Sequence, residues 1–255
     1  DPEIPQDTEA AAFFDVDNTL IQGSSLILLA QGLFKKRFIT LSELAPALRK
    51  QIRYRVSGSE NADDIAEGRE QALAVVKGKS VAELKQACRE IVDNRMLEKS
   101  YADTIELAAM HLAAGQQVWL VSATPVQIGQ ALAETLGFTG ALGTVAEEKD
   151  GKFTGRLVGD ILHGPGKKHA VAALAALQQL DLSKCTAYSD SINDLPMLEM
   201  VGSPVAINPD RALRKHAKAQ GWAVRDYRSV RRVVRAGVVP AALAAAGLWW
   251  WWRRR

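Results

Sequence analysis

At 255 residues, 47% apolar and 24% charged, the chain can bury one large core or two modest ones. Its formal net charge of +3, with much of the basic excess near the C-terminus, does not amount to a nucleic-acid footprint. The two cysteines, Cys88 and Cys185, are far apart and the four histidines are scattered, which excludes a disulfide framework and a zinc cluster and suits a reducing cytoplasm.

Residues 1–9 are polar, acidic and proline-containing; they read as a flexible tail and lack the pattern of a signal peptide. The most informative stretch follows at 11–20, where the apolar run Ala11-Ala12-Phe13-Phe14 ends in Asp15-Val16-Asp17-Asn18-Thr19-Leu20. Alternate residues of a strand point the same way, so Asp15 and Asp17 leave its end together. Two close carboxylates repel unless a cation lies between them. The pair therefore points to a hard cation such as Mg2+, with one carboxylate free to attack and the other free to carry a proton. A capped turn is the competing reading. A calcium loop fails, because the positions that need Gly and Glu hold Leu20 and Leu26.

From 24 to 114 the apolar spacing is helical, in segments 24–34, 41–54, 62–76, 81–97 and 101–114. Ser80 and Glu83 fit a capping box at the start of the fourth. An apolar strand over 117–121 then ends in Ser122-Ala123-Thr124-Pro125, with a helix to about 136. Residues 144–157 read as a hairpin turning at Asp150-Gly151. Gly164-Pro165-Gly166-Lys167-Lys168 is a glycine-rich turn entering a helix to about 180. Strands follow over 184–189 and 203–207 with a helix between, and the first runs into Asp190 and Asp194. Each polar cluster closes a strand, and the C-terminal edge of an open parallel sheet is where ligands bind. Taken singly, Ser122 is also a plain strand-end hydroxyl, Asp194 a helix cap, and Lys167 one of two solvated lysines with Lys168 the second choice.

The last segment changes character. Residues 233–252 are apolar apart from Arg235, and Trp249 to Trp252 precede Arg253 to Arg255. The uncharged run 236–252 is interrupted by Pro240 and is a little short of the about 20 residues a span needs. It reads as a peripheral membrane contact or as a helix packed on the core.

With these residues in order, the chain resembles the haloacid-dehalogenase (HAD) superfamily. Its four motifs correspond to Asp15-x-Asp17-x-Thr19-Leu20, Ser122, Lys167 and the pair Asp190/Asp194. The segment from Tyr188 to Leu198, with Asn208-Pro209-Asp210 after it, is similar to the phosphoserine-phosphatase-like branch, subfamily IB. The resemblance implies an α/β fold, a Rossmann-like parallel sheet with a helical cap inserted after the first strand. The core would be 10–22 and 115–230 with a β-flap at 144–157, the cap 23–114, and the C-terminal tail 231–255. It implies a Mg2+-dependent phosphatase with Asp15 as nucleophile and Asp17 as acid and base. Asp15, the Asp17 carbonyl, Asp190 and Asp194 would serve the metal. Ser122, Ala123 and Lys167 would meet the substrate phosphoryl group.

The implied substrate is a small phosphomonoester. The branch places two glycines after the second-motif serine, whereas Ala123, Thr124 and Pro125 stand here, so amino-acid recognition is not carried over. Arg53, Arg55 and Arg69 of the cap could meet an anionic substrate or simply face solvent. Alternatives are a phospholipid-derived phosphate at the membrane, a phosphotransferase or phosphomutase, or a non-catalytic membrane-associated module.

Overall fold

The computed structural model describes residues 4–40, 43 and 73–228. Apart from Glu43, the expected helix 41–54, and with it most of 62–76, the arginines Arg53, Arg55 and Arg69, and the tail 231–255, lie outside the described residues. No helix among the described residues is long and apolar enough to cross a membrane.

Strand β1 is Ala11–Phe14, and helix α1 is Ser25–Lys35. Helix α2, Val81–Ile91, continues through a π-helical turn at Val92–Met96 and a 3-10 turn at Leu97–Lys99. Helix α3 is Ala102–Ala113, strand β2 Gln117–Pro125, helix α4 Val126–Leu136 and strand β3 Gly140–Thr144. Strands β4, Ala146–Lys149, and β5, Lys152–Leu157, pair with each other. Helix α5 is Pro165–Gln178 and strand β6 Thr186–Ser189. After a 3-10 turn at Ile192–Asp194 come helix α6, Leu195–Leu198, strand β7, Ser203–Ile207, helix α7, Arg211–Ala219, and strand β8, Ala223–Arg225.

The six-stranded sheet runs β3-β2-β1-β6-β7-β8, and every pairing in it is parallel. This is the Rossmann-like α/β architecture expected from the sequence. β1 is central, and all four of its residues are buried, as a parallel strand covered on both faces must be. Phe14 lies opposite Leu120 on one side and Tyr188 on the other. The residues after β1, β2 and β6 therefore emerge side by side where the chain direction switches, and an open α/β sheet has its crevice there.

The alternating side chains divide the core. Phe14, Leu120 and Tyr188 pack on one face with Leu28 of α1, Leu84 and Ile91 of α2, Leu107 of α3 and Ile128 of α4. Phe13 and Val121 pack on the other with Val171 of α5, Met197 of α6 and Leu213 of α7. The described part of the helical insertion thus shares an apolar core with the sheet. Helix α3, read from sequence as the last helix of the insertion, lies over β1 and β2: Thr104 Oγ1 donates to the Thr19 carbonyl at 2.9 Å, and Tyr101 N–H to Leu20 at 2.8 Å. Within the expected N-terminal tail, described residues 5, 7 and 9 bond to the rest of the fold. Asp181 N–H donates to the Glu9 carbonyl at 2.8 Å, Lys184 pairs with Asp7 and Glu9, and Gln116 Nε2 donates to the Pro5 carbonyl at 2.9 Å.

The hairpin turns where the dipeptide signal placed it. Asp150 and Gly151 both have positive φ, 52° and 73°, the type I′ pattern that matches strand twist. The Ser80 side chain accepts from Glu83 N–H, forming the expected cap of α2. Both cysteines are buried and free.

A polar network supports the sheet beneath the crevice. Buried His111 on α3 has Nδ1 2.6 Å from Gln116 Oε1 and Nε2 2.7 Å from the Tyr188 hydroxyl. Gln116 Oε1 only accepts, so Nδ1 carries the proton and Nε2 accepts from Tyr188. Burial pulls the His111 pKa down and keeps the ring neutral. Tyr188→Phe leaves Nε2 buried and unpaired, and thermal unfolding should register a loss of about 1–2 kcal/mol. An unchanged melting temperature would contradict this role.

Candidate active site

Asp15 is the first residue past β1, and its N–H donates to the Tyr188 carbonyl of β6 at 2.9 Å, so the sheet register fixes its position. Lys167 enters from the first turn of α5. Gly164 takes the left-handed region (φ 50°), and Pro165 opens the helix with φ already set. This directs Lys167 inward while Lys168 stays exposed. Lys167 and Asp194 are each only 3% exposed, too buried for the solvated-lysine reading. Lys167 Nζ donates to Asp15 Oδ1 at 2.5 Å and to Asp194 Oδ2 at 2.7 Å. Asp194 occupies the N-cap position of α6, yet its side chain makes no cap hydrogen bond. It accepts instead from Lys167 and from Ser189 Oγ at 2.7 Å.

Ser122 and Thr124 stand at the end of β2 with their hydroxyls 2.9 Å apart, and Thr124 N–H donates to Ser122 Oγ at 3.2 Å. Asp17 turns toward the start of α1, where Ser25 donates to Asp17 Oδ1 through its backbone N–H at 2.9 Å and through its hydroxyl. A helix N-terminus favours an anion there. Asp190 follows β6, and the Asn18 side chain favours its ionised form.

These residues line one cleft of about 220 Å3, formed by Asp15, Asp17, Ser122, Ala123, Lys167, Asp190 and Asp194 together with Ser24, Leu26, Thr124, His163, Ser191 and Asn193. Every site residue named from the sequence is therefore brought together. Sequence reasoning did not name the rim residues Ser24, Leu26, Ser191 and Asn193, or the exposed His163, as part of the site. It also missed Ser25 and Ser189, which hold two of the carboxylates. A serine placed one helical residue past a cap was the only signal for Ser25.

The electrostatics follow from burial. Desolvation pushes the Asp15 carboxyl well above the usual carboxylate range against the pull of Lys167, and Asp194 and Asp190 add to the rise. Asp190 is pushed up to about 7, mainly by burial, with the Asn18 side chain opposing. Burial disfavours the Lys167 ammonium, but Asp15 and Asp194 outweigh it and hold the group protonated, its pKa above the ordinary lysine value.

Four carboxylates thus share the cleft with one ammonium. Among the described residues no group of three or more acidic, His or Cys side chains stands in ligating geometry. A set of two side-chain carboxylates, Asp15 and Asp190, completed by a backbone carbonyl does not require such a group. Oxygen donors and excess negative charge fit a hard divalent cation.

The haloacid dehalogenase-like hydrolase family model matches residues 12–199. A Mycobacterium tuberculosis protein named phosphoserine phosphatase SerB1 is 53% identical over 244 residues, 96% of this chain and 79% of that protein. A histidinol-phosphatase of Neisseria meningitidis is 32% identical, over 85% of this chain and 98% of that one. A solved structure of a Bordetella pertussis protein of unknown function superposes with a TM-score of 0.75 at 30% identity, covering 86% of this chain and 99% of that one. Together with the strand-end carboxylates, serine and lysine, these matches establish that the chain belongs to the haloacid dehalogenase-like hydrolases and is a phosphatase of the phosphoserine-phosphatase-like branch.

Proposed function

We propose that the protein is a Mg2+-dependent phosphomonoester hydrolase working through an aspartyl-phosphate at Asp15. The observation that carries this reading is the Lys167 ammonium joined to both Asp15 and Asp194 beside Ser122, at the sheet edge where the chain direction switches. Phosphoryl transfer demands positioning and charge neutralisation more than covalent chemistry, and this cleft is built for both.

Asp15 attacks phosphorus as the ester P–O bond breaks, and Asp17 gives its proton to the departing alcohol oxygen. Asp17, now a carboxylate, takes a proton from the water that attacks the aspartyl-phosphate. Phosphate then leaves, and Asp15 is restored as a carboxylate. Two of the three Lys167 N–H bonds serve Asp15 and Asp194, and the third serves a phosphoryl oxygen. The Ser122 hydroxyl supplies a neutral donor to the same group. Asp15, Asp190 and the Asp17 carbonyl would hold Mg2+, with Asp194 behind them; when bound, it neutralises phosphoryl charge and draws the carboxylates back to their ionised form.

For the substrate we favour a small phosphomonoester on an amino-acid-like or amino-alcohol scaffold. Support comes from relatives named for phosphoserine and for histidinol phosphate. Ser24, Leu26, Thr124, His163 and Asn193, small, polar or apolar, would face the leaving group. A screen of such esters with free phosphate as readout tests this. Turnover of phosphoserine or histidinol phosphate well above p-nitrophenyl phosphate is the expected result, and indifference among all esters would contradict it.

The charge balance also gives a pH prediction. Asp190 sits near pH 7 in the metal-free fold against an ordinary 3.8, so its stabilising contribution is fully present below about pH 4 and is lost as pH rises toward 7. Protons and cation compete for the same oxygens. Added Mg2+ should therefore raise the melting temperature more at pH 8 than at pH 5. Equal shifts at the two pH values would count against the cation site.

A further inference from the structure

The end of β2 carries a second hydroxyl that has no part in handling the phosphoryl group in the chemistry above. Thr124 is buried and lines the cleft with Ser122. The ladder between β2 and β3 steps from Val121 opposite Leu142 to Pro125 opposite Thr144, so β2 bulges over 122–124. A bulge re-aims the side chains it carries. The backbone of this one is pinned from β3. Thr144 Oγ1 donates to the Ala123 carbonyl at 2.6 Å. A Cβ at Gly143 would stand 2.9 Å from the Thr124 carbonyl oxygen and 2.7 Å from Val126 Cα, closer than side-chain carbons come, so glycine at 143 lets the bulge seat.

The pinned bulge brings two hydroxyls together. Thr124 Oγ1 lies 2.9 Å from Ser122 Oγ, and Thr124 N–H donates to Ser122 Oγ at 3.2 Å. Among the described residues neither hydroxyl has another hydrogen-bond partner. A hydroxyl has one proton and two lone pairs. When Thr124 gives its proton to Ser122, both lone pairs of Ser122 are taken and its own proton is left for the cleft. The reverse direction would use the Ser122 proton on Thr124. A phosphoryl oxygen only accepts, so its arrival at Ser122 selects the first direction and completes a chain from Thr124 through Ser122 to the phosphoryl group. An oxygen that accepts hydrogen bonds becomes the stronger donor.

We infer that Thr124 is a positioning residue that turns the Ser122 proton onto the phosphoryl group. The inference rests on the reading above, in which Ser122 is a phosphoryl donor. A threonine that merely faced the leaving group, or merely packed the end of β2, would occupy the same place. A ligand with no leaving group and a background with no serine hydroxyl separate these roles.

Mg2+-dependent turnover of p-nitrophenyl phosphate, and its inhibition by orthovanadate, which presents oxygens but no leaving group, are compared for the native chain, Thr124→Val, Thr124→Ser, Ser122→Ala and the double variant Ser122→Ala with Thr124→Val. Melting temperatures are taken alongside. Valine keeps the branched shape and suits a strand while deleting the hydroxyl. Thr124→Val should lower kcat/KM and weaken vanadate inhibition by the same factor, about five- to tenfold, the usual contribution of one neutral hydrogen bond. Thr124→Ser should restore both. In the Ser122→Ala background Thr124→Val should cost nothing more, because the two residues act through one chain. Native vanadate inhibition in Thr124→Val, or a full further loss in the double variant, would overturn the inference whatever the melting temperatures. Should Thr124→Val fail to fold, Thr124→Ala decides on the same readouts. Absence of Mg2+-dependent turnover in the native protein would instead sink the reading of the site itself, and the inference with it.

Discussion

Asp15→Asn is expected to release phosphate at least about four orders of magnitude more slowly than the native protein, because an amide does not attack phosphorus and the two-step route closes. The fold should survive. Asn keeps an oxygen that accepts from Lys167, and the buried charge disappears from a position where burial already pushes the carboxyl pKa up. Without metal, the variant should be at least as stable as the native protein at pH 8, the usual relation between a strained catalytic group and stability. Phosphate release and thermal unfolding on the same preparation check both halves. A variant with native turnover would remove Asp15 from the chemistry, and a variant that merely unfolds would not support its role as nucleophile.

Lys167→Met should produce the second large effect, on turnover and on stability together. Lys167 is the ammonium bonded to both Asp15 and Asp194, and all three side chains are buried. Removing one partner from a buried ion pair costs about 3–5 kcal/mol, because the remaining charges lie in low dielectric unpaired. Turnover should fall by about 1,000-fold as the donor to the phosphoryl oxygen is lost. The stability loss carries a pH signature. In the variant the Asp15 carboxyl, already raised by burial, also loses the opposing pull of Lys167, so the folded state binds its proton more tightly than the unfolded chain and stability falls as pH rises. The deficit should be largest near pH 8 and shrink toward pH 4. Urea unfolding at the two pH values measures it, and a pH-independent deficit would mean that Lys167 acts by packing alone.

The site was legible because its chemistry demands residue types at strand ends. Asp15, Ser122, Lys167 and Asp190 each follow an apolar run or a glycine-rich turn, and the parallel register then places them at one edge. Asp194 was ambiguous in sequence, since an acid before Leu195-Pro196 is also a good cap; the competition was decided by Lys167 on α5 and by Ser189 at the end of β6. The hairpin was legible through Asp150-Gly151, whose turn needs two positive φ angles.

Other elements gave weak local signals. β3 is glycine-rich and β8 only three residues long, so neither carries a clear alternation, and both form because a neighbouring strand offers a ladder. Helix α2 was expected to run on to 97, but its last turns loosen into π and 3-10 geometry while Val92 and Met96 stay buried. Ser25 was not legible as a site residue, because its contact with Asp17 depends on how the loop after β1 turns into α1.

The central claim is a double displacement through Asp15, and the stereochemistry at phosphorus tests it most directly. Hydrolysis of a phosphorothioate monoester made chiral by sulfur and two oxygen isotopes, in water carrying the third isotope, separates the two routes, because the released thiophosphate is chiral. Each in-line displacement inverts the phosphoryl group. Transfer to Asp15 followed by attack of water therefore predicts net retention, and net inversion would mean a single direct attack by water and would contradict the account.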